Sequence, residues 1–583
     1  ISPKMWSMER LEKKKVNGRT YYYYSKWEWV DGRCRRVWQK YLGKLENIAK
    51  AVDGKGPAPL YAEVFQWGLP LAMWRECCKS KVVEHVDELC PKRSQGLSTG
   101  QYLAIAAINR AICAKSKRGM WEWFSQTALM RLLPNASNAS LSSQRFWDHM
   151  DRIGADETKA IWKRILHGVI EREDIDLSSI SYDGTNYYSF IDTFNTRCQI
   201  AKRGKNKQGR NNLRQVSYAL FCSADGHMPL YYDVYDGNRN DAKQFPQVLE
   251  KFHSFLGEIS GDLKKPPETT LIFDKGNNSA DNFALIDSMN LHFVGSVKLG
   301  EHKELMQVSN NDPRFVTSSA ELFEDVKSFR VKTQVYGKKR TLVVTYNRKL
   351  FDSQWMTVNN DIEKALEKLA ALQKKLKDRA EVIATRGKSP TKASVDRQCK
   401  SILSRQHMKV VIKTSIQSTE DGPLLSYELD TTALTELADT HLGKTIIVTS
   451  RDNWDDASII QAYRSQFIIE NVFKETKDRR TGTWWPMRHW TDSKIRVHGL
   501  YCTIALMLRA VALRRAEQAG VKISMGRFLS ELDDIREVIN IYPSTRGQKK
   551  HRTQAVLTKP SEIQARLMDA LSLEQNEFSP QLG

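Results

Sequence analysis

The spacing of apolar positions changes several times along the chain, and each change marks an element. Residues 1–50 alternate with period two: Thr20-Tyr21-Tyr22-Tyr23-Tyr24, then Trp27 to Val30, an Asp31-Gly32 turn signal and Cys34 to Leu42. That pattern predicts a small β-rich segment built as a hairpin. Over 51–175 helical spacing dominates, with Ser98 placed as an N-cap before the run Tyr102 to Ile112, and Trp121-Glu122-Trp123-Phe124 beyond it. Strand periodicity takes over near Leu177. Val216 to Val234 reads as two strands joined by Ala224-Asp225-Gly226-His227, Thr269 to Phe273 as a further buried strand, and Phe293 to Lys298 as a short one after a helical segment. Residues 176–300 are therefore expected to form a mixed α/β domain.

Two of these strands end in aspartates that glycine follows closely, Ile180-Ser181-Tyr182-Asp183-Gly184 and Leu271-Ile272-Phe273-Asp274-Lys275-Gly276. A third acid, Glu470, interrupts an otherwise apolar helical stripe, Phe467-Ile468-Ile469-Glu470-Asn471-Val472-Phe473. Helical spacing sets Phe467 and Phe473 on either side of the carboxylate, where an unpaired charge would be costly. Tyr463 and Lys477 lie nearly two turns away on the same face, and Lys474 one turn away. Each acid alone has a plainer reading: Asp-Gly often marks a turn, and Glu470 could pair with Lys474 at i,i+4. Three isolated carboxylates able to converge on hard cations point instead to phosphoryl transfer.

Between Asp274 and Glu470 lie 195 residues, too many for a simple connection. Residues 301–450 are accordingly expected to form an inserted β-rich domain. Phe329 to Tyr336 and Thr341 to Tyr346 alternate about Tyr336-Gly337-Lys338-Lys339, and Ile362, Leu366, Leu369, Leu376 and Ile383 follow heptad-like spacing that polar Gln373 breaks. A short helical hairpin is the expected outcome, with Arg386, Lys388, Lys392 and Arg397 extending a basic surface after it. Residues 451–515 then complete the α/β domain, the apolar run within Arg496–Arg514 packing behind the Glu470 helix. Residues 516–583 are expected to be helical.

Charge narrows the partner. Ninety Lys plus Arg against 68 Asp plus Glu give +22 over 583 residues, spread along the chain, which favours a polyanion. No run of about 18 apolar residues stands out, so a membrane span is not expected. The nine cysteines are scattered and contain no Cys-x-x-Cys pair, which fits a reduced, cytoplasmic protein. Cys77, Cys78, His85 and Cys90 match no standard zinc spacing and read better as buried thiols.

The three acidic blocks, with Asn109-Arg110, Ser116-Lys117 and the stretch Met487 to His498, resemble the DDE transposases of bacterial insertion sequences. The resemblance is to the branch whose third acid lies in a Tyr-x2-Arg-x3-Glu-x6-Lys signature. It implies a ribonuclease-H-like catalytic domain interrupted by a β-rich insertion, with a helical N-terminal DNA-binding and dimerisation region. It also implies Asp183, Asp274 and Glu470 as the catalytic triad and metal ligands, for two Mg2+ ions that Mn2+ can replace. Tyr463 and Lys477 fall on the signature's tyrosine and lysine. Its arginine position holds Gln466, leaving Arg464 as a neighbouring substitute, and Lys474 and Arg488 complete the expected DNA contacts. The implied activity is cut-and-paste transposition in a bacterial, nucleoid-associated setting. A homodimer on double-stranded DNA would bind terminal inverted repeats, cleave them, with release through hairpin ends, and join 3′ hydroxyls to target DNA. Two competing readings are a domesticated DNA-binding protein and a ribonuclease-H-like nuclease that cleaves without joining.

Overall fold

The computed structural model describes residues 7–30, 33–52, 58–92, 95–205, 209–239, 241–261, 268–317, 325–381, 389–478, 480–544 and 551–574. Two compact units emerge, one from residues 1–72, 122–134 and 519–583, the other from 73–121 and 135–518.

The first unit begins with three antiparallel strands, β1 (Ser7–Val16), β2 (Arg19–Val30) and β3 (Arg33–Gly43). Asn17 and Gly18 both sit in the left-handed region, φ 48° and 73°, as a two-residue hairpin requires. The expected hairpin is thus a three-stranded meander. Its first strand escaped the periodicity because Lys13-Lys14-Lys15 masks the alternation, and the Asp31-Gly32 turn lies outside the described residues. A second sheet joins β4 (Tyr61–Gln66) to Arg536–Tyr542 and Arg552–Leu557. Buried Glu537 pairs there with Arg131. Residues 516–583 therefore alternate helix and strand rather than forming the helical region expected of them, because the β-branched Val538, Ile539 and Ile541 favour a strand.

The second unit is built on a ten-stranded mixed sheet: β5 (Ser179–Ser189), β6 (Lys202–Arg203), β7 (Arg214–Ser223), β8 (Pro229–Asp236), β9 (Thr270–Phe273), β10 (His292–Ser296), β11 (Val316–Thr317), β12 (Val326–Val335), β13 (Lys338–Asn347) and, after the separate ribbon β14 (Ile412–Thr419) and β15 (Gly422–Leu429), β16 (Lys444–Thr449). The strand order is β11-β12-β13-β16-β10-β9-β5-β7-β6, with β8 also on β7. Among the described residues, the neighbouring pairs β10–β9 and β9–β5 are parallel and the sheet's other ladders antiparallel. All four residues of β9 are buried, as expected of a central strand covered on both faces.

The stretch 301–450 divides between two destinations. Strands β12 and β13 form where alternation predicted them but extend the main sheet through β16. The remainder packs around a 33-residue helix, Arg348–Ala380, whose Ile362, Ala365, Leu369, Leu372 and Leu376 form a core with β14 and β15. Gln373, which interrupts that stripe, donates to the Leu425 carbonyl at 2.8 Å. Ile383, Arg386 and Lys388 fall outside the described residues.

The helix Asp492–Gln518 is the unit's spine. It is apolar enough over 18 residues to suit a bilayer, yet 94% of that window is buried inside the protein, where it packs against the helices Thr99–Ile112 and Ala155–Glu173 and against β8. An all-round apolar helix of this kind is a core element.

Candidate active site

Strand register brings the first two acids level. The last hydrogen-bonded pair between β5 and β9 is Ser181 with Ile272, and Asp183 and Asp274 each lie two residues further on. Parallel pairing keeps successive residues abreast, so both acids stand at one level on neighbouring strands. The same reasoning carries to β10, where Gly295 pairs with Phe273 and Ser296 is therefore level with Asp274. Ser296 Oγ donates to Asp274 Oδ1 at 3.3 Å. Asp183 and Asp274 are half-buried, within reach of solvent, and Asp183 Oδ1 accepts from the Gly184 backbone N–H at 2.7 Å.

Glu470 comes from the helix Gln466–Lys477, which packs on β5. At one end, Ser465, Phe467 and Ile468 share a cleft with Ser179, the first residue of β5. At the other, Thr476 Oγ1 and the Tyr187 hydroxyl are hydrogen-bonded at 2.5 Å, and Lys477 donates to Thr185. The helix thus runs along β5 in the strand's own direction, and Glu470 lies between those ends, as Asp183 does on the strand. Asp183, Thr185 and Tyr187 alternate onto one face of β5, the face this helix covers.

Sequence spacing expected aromatic rings around Glu470, and the structure corrects this. Glu470 is exposed, Phe467 is 55% exposed, and only Phe473 turns inward. The carboxylate interrupts the stripe because it sits at the helix's solvent edge, where it keeps its contact with water.

Tyr463, on the preceding helix Asp456–Arg464, connects the parts. Its phenol is pushed above the ordinary range, first by burial, against which a hydrogen bond with Ser296 acts, and then by the nearby negative charges of Asp274 and Glu470. One hydroxyl therefore senses both acids. Arg464 points elsewhere: it lines the cleft with Asp176, Ser179 and Asp225, at the opposite end of β5 from Thr185. Lys474 is exposed and donates to Asn471 at 3.4 Å rather than to Glu470. Lys477 is half-buried, its ammonium 5.5 Å from the Tyr187 ring centroid. Arg488 is exposed on the segment that follows the Glu470 helix.

Beneath this surface lies a buried polar network that holds the segment Thr481–Trp490. The Trp484 carbonyl can only accept, so His498 Nε2 donates to it at 2.8 Å, leaving Nδ1 to accept from the Tyr501 hydroxyl at 2.6 Å. Tyr501 must then accept from His489 Nε2 at 3.0 Å. Arg110 donates to the carbonyls of Trp484 and Pro486, and Arg509 to those of Ala111 and Thr481. Burial, with Lys117 and Arg110 nearby, holds both histidines far below their ordinary pKa. Lys117 itself, over the Tyr501 ring at 4.4 Å, is pushed down to about 7 by burial and then by Arg110. Of the tryptophans after Glu470, Trp484 is buried, whereas Trp490 is 45% exposed and 5.7 Å from Trp147.

Among the described residues no three His, Cys, Asp or Glu side chains are gathered tightly enough to form a ready cage for a metal ion. The oxygen donors of Asp183, Asp274 and Glu470 nevertheless suit a hard divalent cation. Magnesium is commonly held by one or two carboxylates with substrate phosphates completing its shell, so a closed protein cage is not required.

Residues 174–508, more than half the chain and all three acids, match the family described as transposase DDE domain. The chain belongs to that family. Membership brings a transposase's general function, with DNA as partner, nuclease activity and the divalent metal ions that DDE transposases use. Among curated proteins no sequence matches it.

Proposed function

We propose that the chain is a cut-and-paste transposase that binds the terminal inverted repeats of its own element, cleaves the ends and joins their 3′ hydroxyls to target DNA. The observation that carries this reading is the shared level of Asp183 and Asp274 on adjacent parallel strands, with Glu470 on the helix along β5. These three carboxylates would hold two magnesium ions, replaceable by manganese. Bound there, the metals would activate the attacking oxygen and stabilise the departing one.

The chain's own residues supply the positioning. Ser296 fixes the Asp274 carboxylate, Tyr463 bridges the two acid-bearing regions, and Lys477 and Lys474 offer cations to the flanking phosphates without competing as metal ligands. In cleavage, water forms a new P–O bond as the bond to the 3′ oxygen breaks, leaving a 3′ hydroxyl and a 5′ phosphate. In joining, that hydroxyl attacks a target phosphate and releases a target 3′ hydroxyl. The α/β unit is read as ribonuclease-H-like, with residues 301–450 as its insertion. Action as a dimer on two ends and release through hairpins belong to the same reading.

A pre-cleaved end bearing a 3′ hydroxyl, incubated with a second duplex and magnesium, tests it. Covalent joining is expected, with manganese supporting the reaction and calcium little turnover. Cleaved ends that never join, with magnesium or manganese, would identify a nuclease instead.

A further inference from the structure

The N-terminal meander carries ten Lys and Arg against four Asp and Glu over residues 7–43. Register assigns Arg10, Glu12 and Lys14 of β1 to the same face as Tyr23 and Trp27 of β2 and Arg36 of β3. Three of the cations on this face rest on aromatic rings, while Arg19, at the β1–β2 turn, completes its charge. Arg10 and Arg36 lie 4.8 and 5.8 Å from the Trp27 ring centroid, and Lys14 lies 4.9 Å from that of Tyr23. Glu12 organises the group: its carboxylate accepts from Trp27 Nε1 at 2.8 Å and Arg10 Nε at 3.2 Å, and faces Arg36 at 3.7 Å. It is only 15% exposed, while Arg10 and Arg36 remain 49% and 37% exposed.

This arrangement discriminates between nucleic-acid partners. Trp27 and Tyr23 are occupied by the protein's own cations and serve as platforms for them, not as open faces for unpaired bases. Beside the exposed rings of Trp29 and Tyr41, the face offers outward positive charge held in place, which suits the regular phosphate rows of a duplex. Fixing the side chains beforehand lowers the entropy lost on binding.

We infer that this face of the meander is a contact surface for duplex DNA, with Arg10, Lys14 and Arg36 as its phosphate-binding cations and Glu12 as the residue that positions both arginines. The inference rests on the reading of the chain as a DNA transposase and adds where duplex is gripped away from the acids.

Binding of the full chain to a fluorescent duplex of mixed sequence, titrated with salt in the presence of a chelator, tests it. The combined variant Arg10→Gln, Lys14→Gln and Arg36→Gln should bind on the order of tenfold more weakly, with the slope of log affinity on log salt reduced by about 2.7, or ~0.9 for each lost contact. Lys13→Gln, Lys15→Gln and Lys40→Gln together, on the opposite face, should leave both quantities nearly unchanged. Circular dichroism checks the fold, and should the triple variant lose the sheet, Lys14→Gln alone should lower the slope by ~0.9. Unchanged affinity and slope, equal losses from both faces, or tighter binding of the single strand than of the duplex would each overturn the inference. No chemistry occurs in this assay. A chain that binds as expected yet never joins ends would overturn the transposition reading alone.

Discussion

Two polar regions of the larger unit behave oppositely. Asp183 and Asp274 stand half-buried, the first within β5 and the second just past the end of β9, and Glu470 stands exposed on a helix edge. The network of Arg110, His489, His498 and Tyr501 is buried and occupied with backbone carbonyls and with its own members. The difference separates chemistry from scaffolding: side chains buried in internal hydrogen bonds fix a segment, and carboxylates within reach of solvent can receive a ligand. Replacing an open acid should therefore abolish reaction without loosening the fold, and replacing a buried network member should do the reverse first.

The largest effect is expected at the acids. Asp183→Asn, Asp274→Asn and Glu470→Gln should each lower DNA cleavage on the order of a thousandfold or more. For exposed Glu470 the change in unfolding free energy should stay within about 0.5 kcal/mol. Cleavage rates and denaturant melts on the same preparations check both halves. A Glu470→Gln chain that cleaves normally would remove it from the site.

Next in size is the scaffold. His498→Ala strips the Trp484 carbonyl and the Tyr501 hydroxyl of a partner in a fully buried setting and should destabilise the unit by about 2–4 kcal/mol, seen as a lower thermal midpoint. An unchanged midpoint would mean that the network holds nothing.

The three candidate acids stood out in the sequence, because an aspartate closing an apolar run and an acid inside an apolar helical stripe leave a one-dimensional trace, although β5 continues past Asp183 to Ser189 where the sequence had suggested that it ends. Several of the network's members marked the resemblance, but nothing in the sequence showed that they meet. Arg110 and Lys117 lie far along the chain from His498, and the packing of Thr99–Ile112 against Asp492–Gln518 brings them together. Ser296 was overlooked for a related reason: its importance comes from being level with Asp274 on a parallel neighbour, and pairing register is not written locally. The fold divided along the same line. Alternation located β12 and β13, but their docking on the main sheet through β16 depends on contacts about a hundred residues apart.

Lys117 supplies a smaller effect with a defined pH window. Its folded-state pKa is pushed down to about 7, whereas the unfolded chain restores a value near 10.4. Between those values the unfolded state binds more protons, so stability should rise as pH goes from about 7 towards 10. Lys117→Met should flatten that rise. The depressed histidines act lower: stability should fall as pH drops below about 6.5, where the unfolded chain takes up protons that buried His489 and His498 refuse. Denaturant melts across pH check both, and a profile unaltered by Lys117→Met would place that ammonium in contact with water.

The smallest effects should come from the residues around the acids. Ser296→Ala removes one hydrogen bond to Asp274 and should slow cleavage about fivefold, the equivalent of ~1 kcal/mol, with no change in end binding. Arg464→Gln, at the far end of β5, should slow it less than Ser296→Ala does. The reverse order would return Arg464 to the DNA contacts.

Whether the three acids serve one metal site is read most directly by replacing magnesium with ferrous iron on DNA-bound protein and starting peptide cleavage with ascorbate and peroxide, since hydroxyl radicals cut the backbone close to the bound ion. Cuts clustered near Asp183, Asp274 and Glu470, suppressed by excess magnesium and lost in Asp274→Asn, are the predicted result. Cuts elsewhere, or a pattern that Asp274→Asn leaves unchanged, would contradict a shared site.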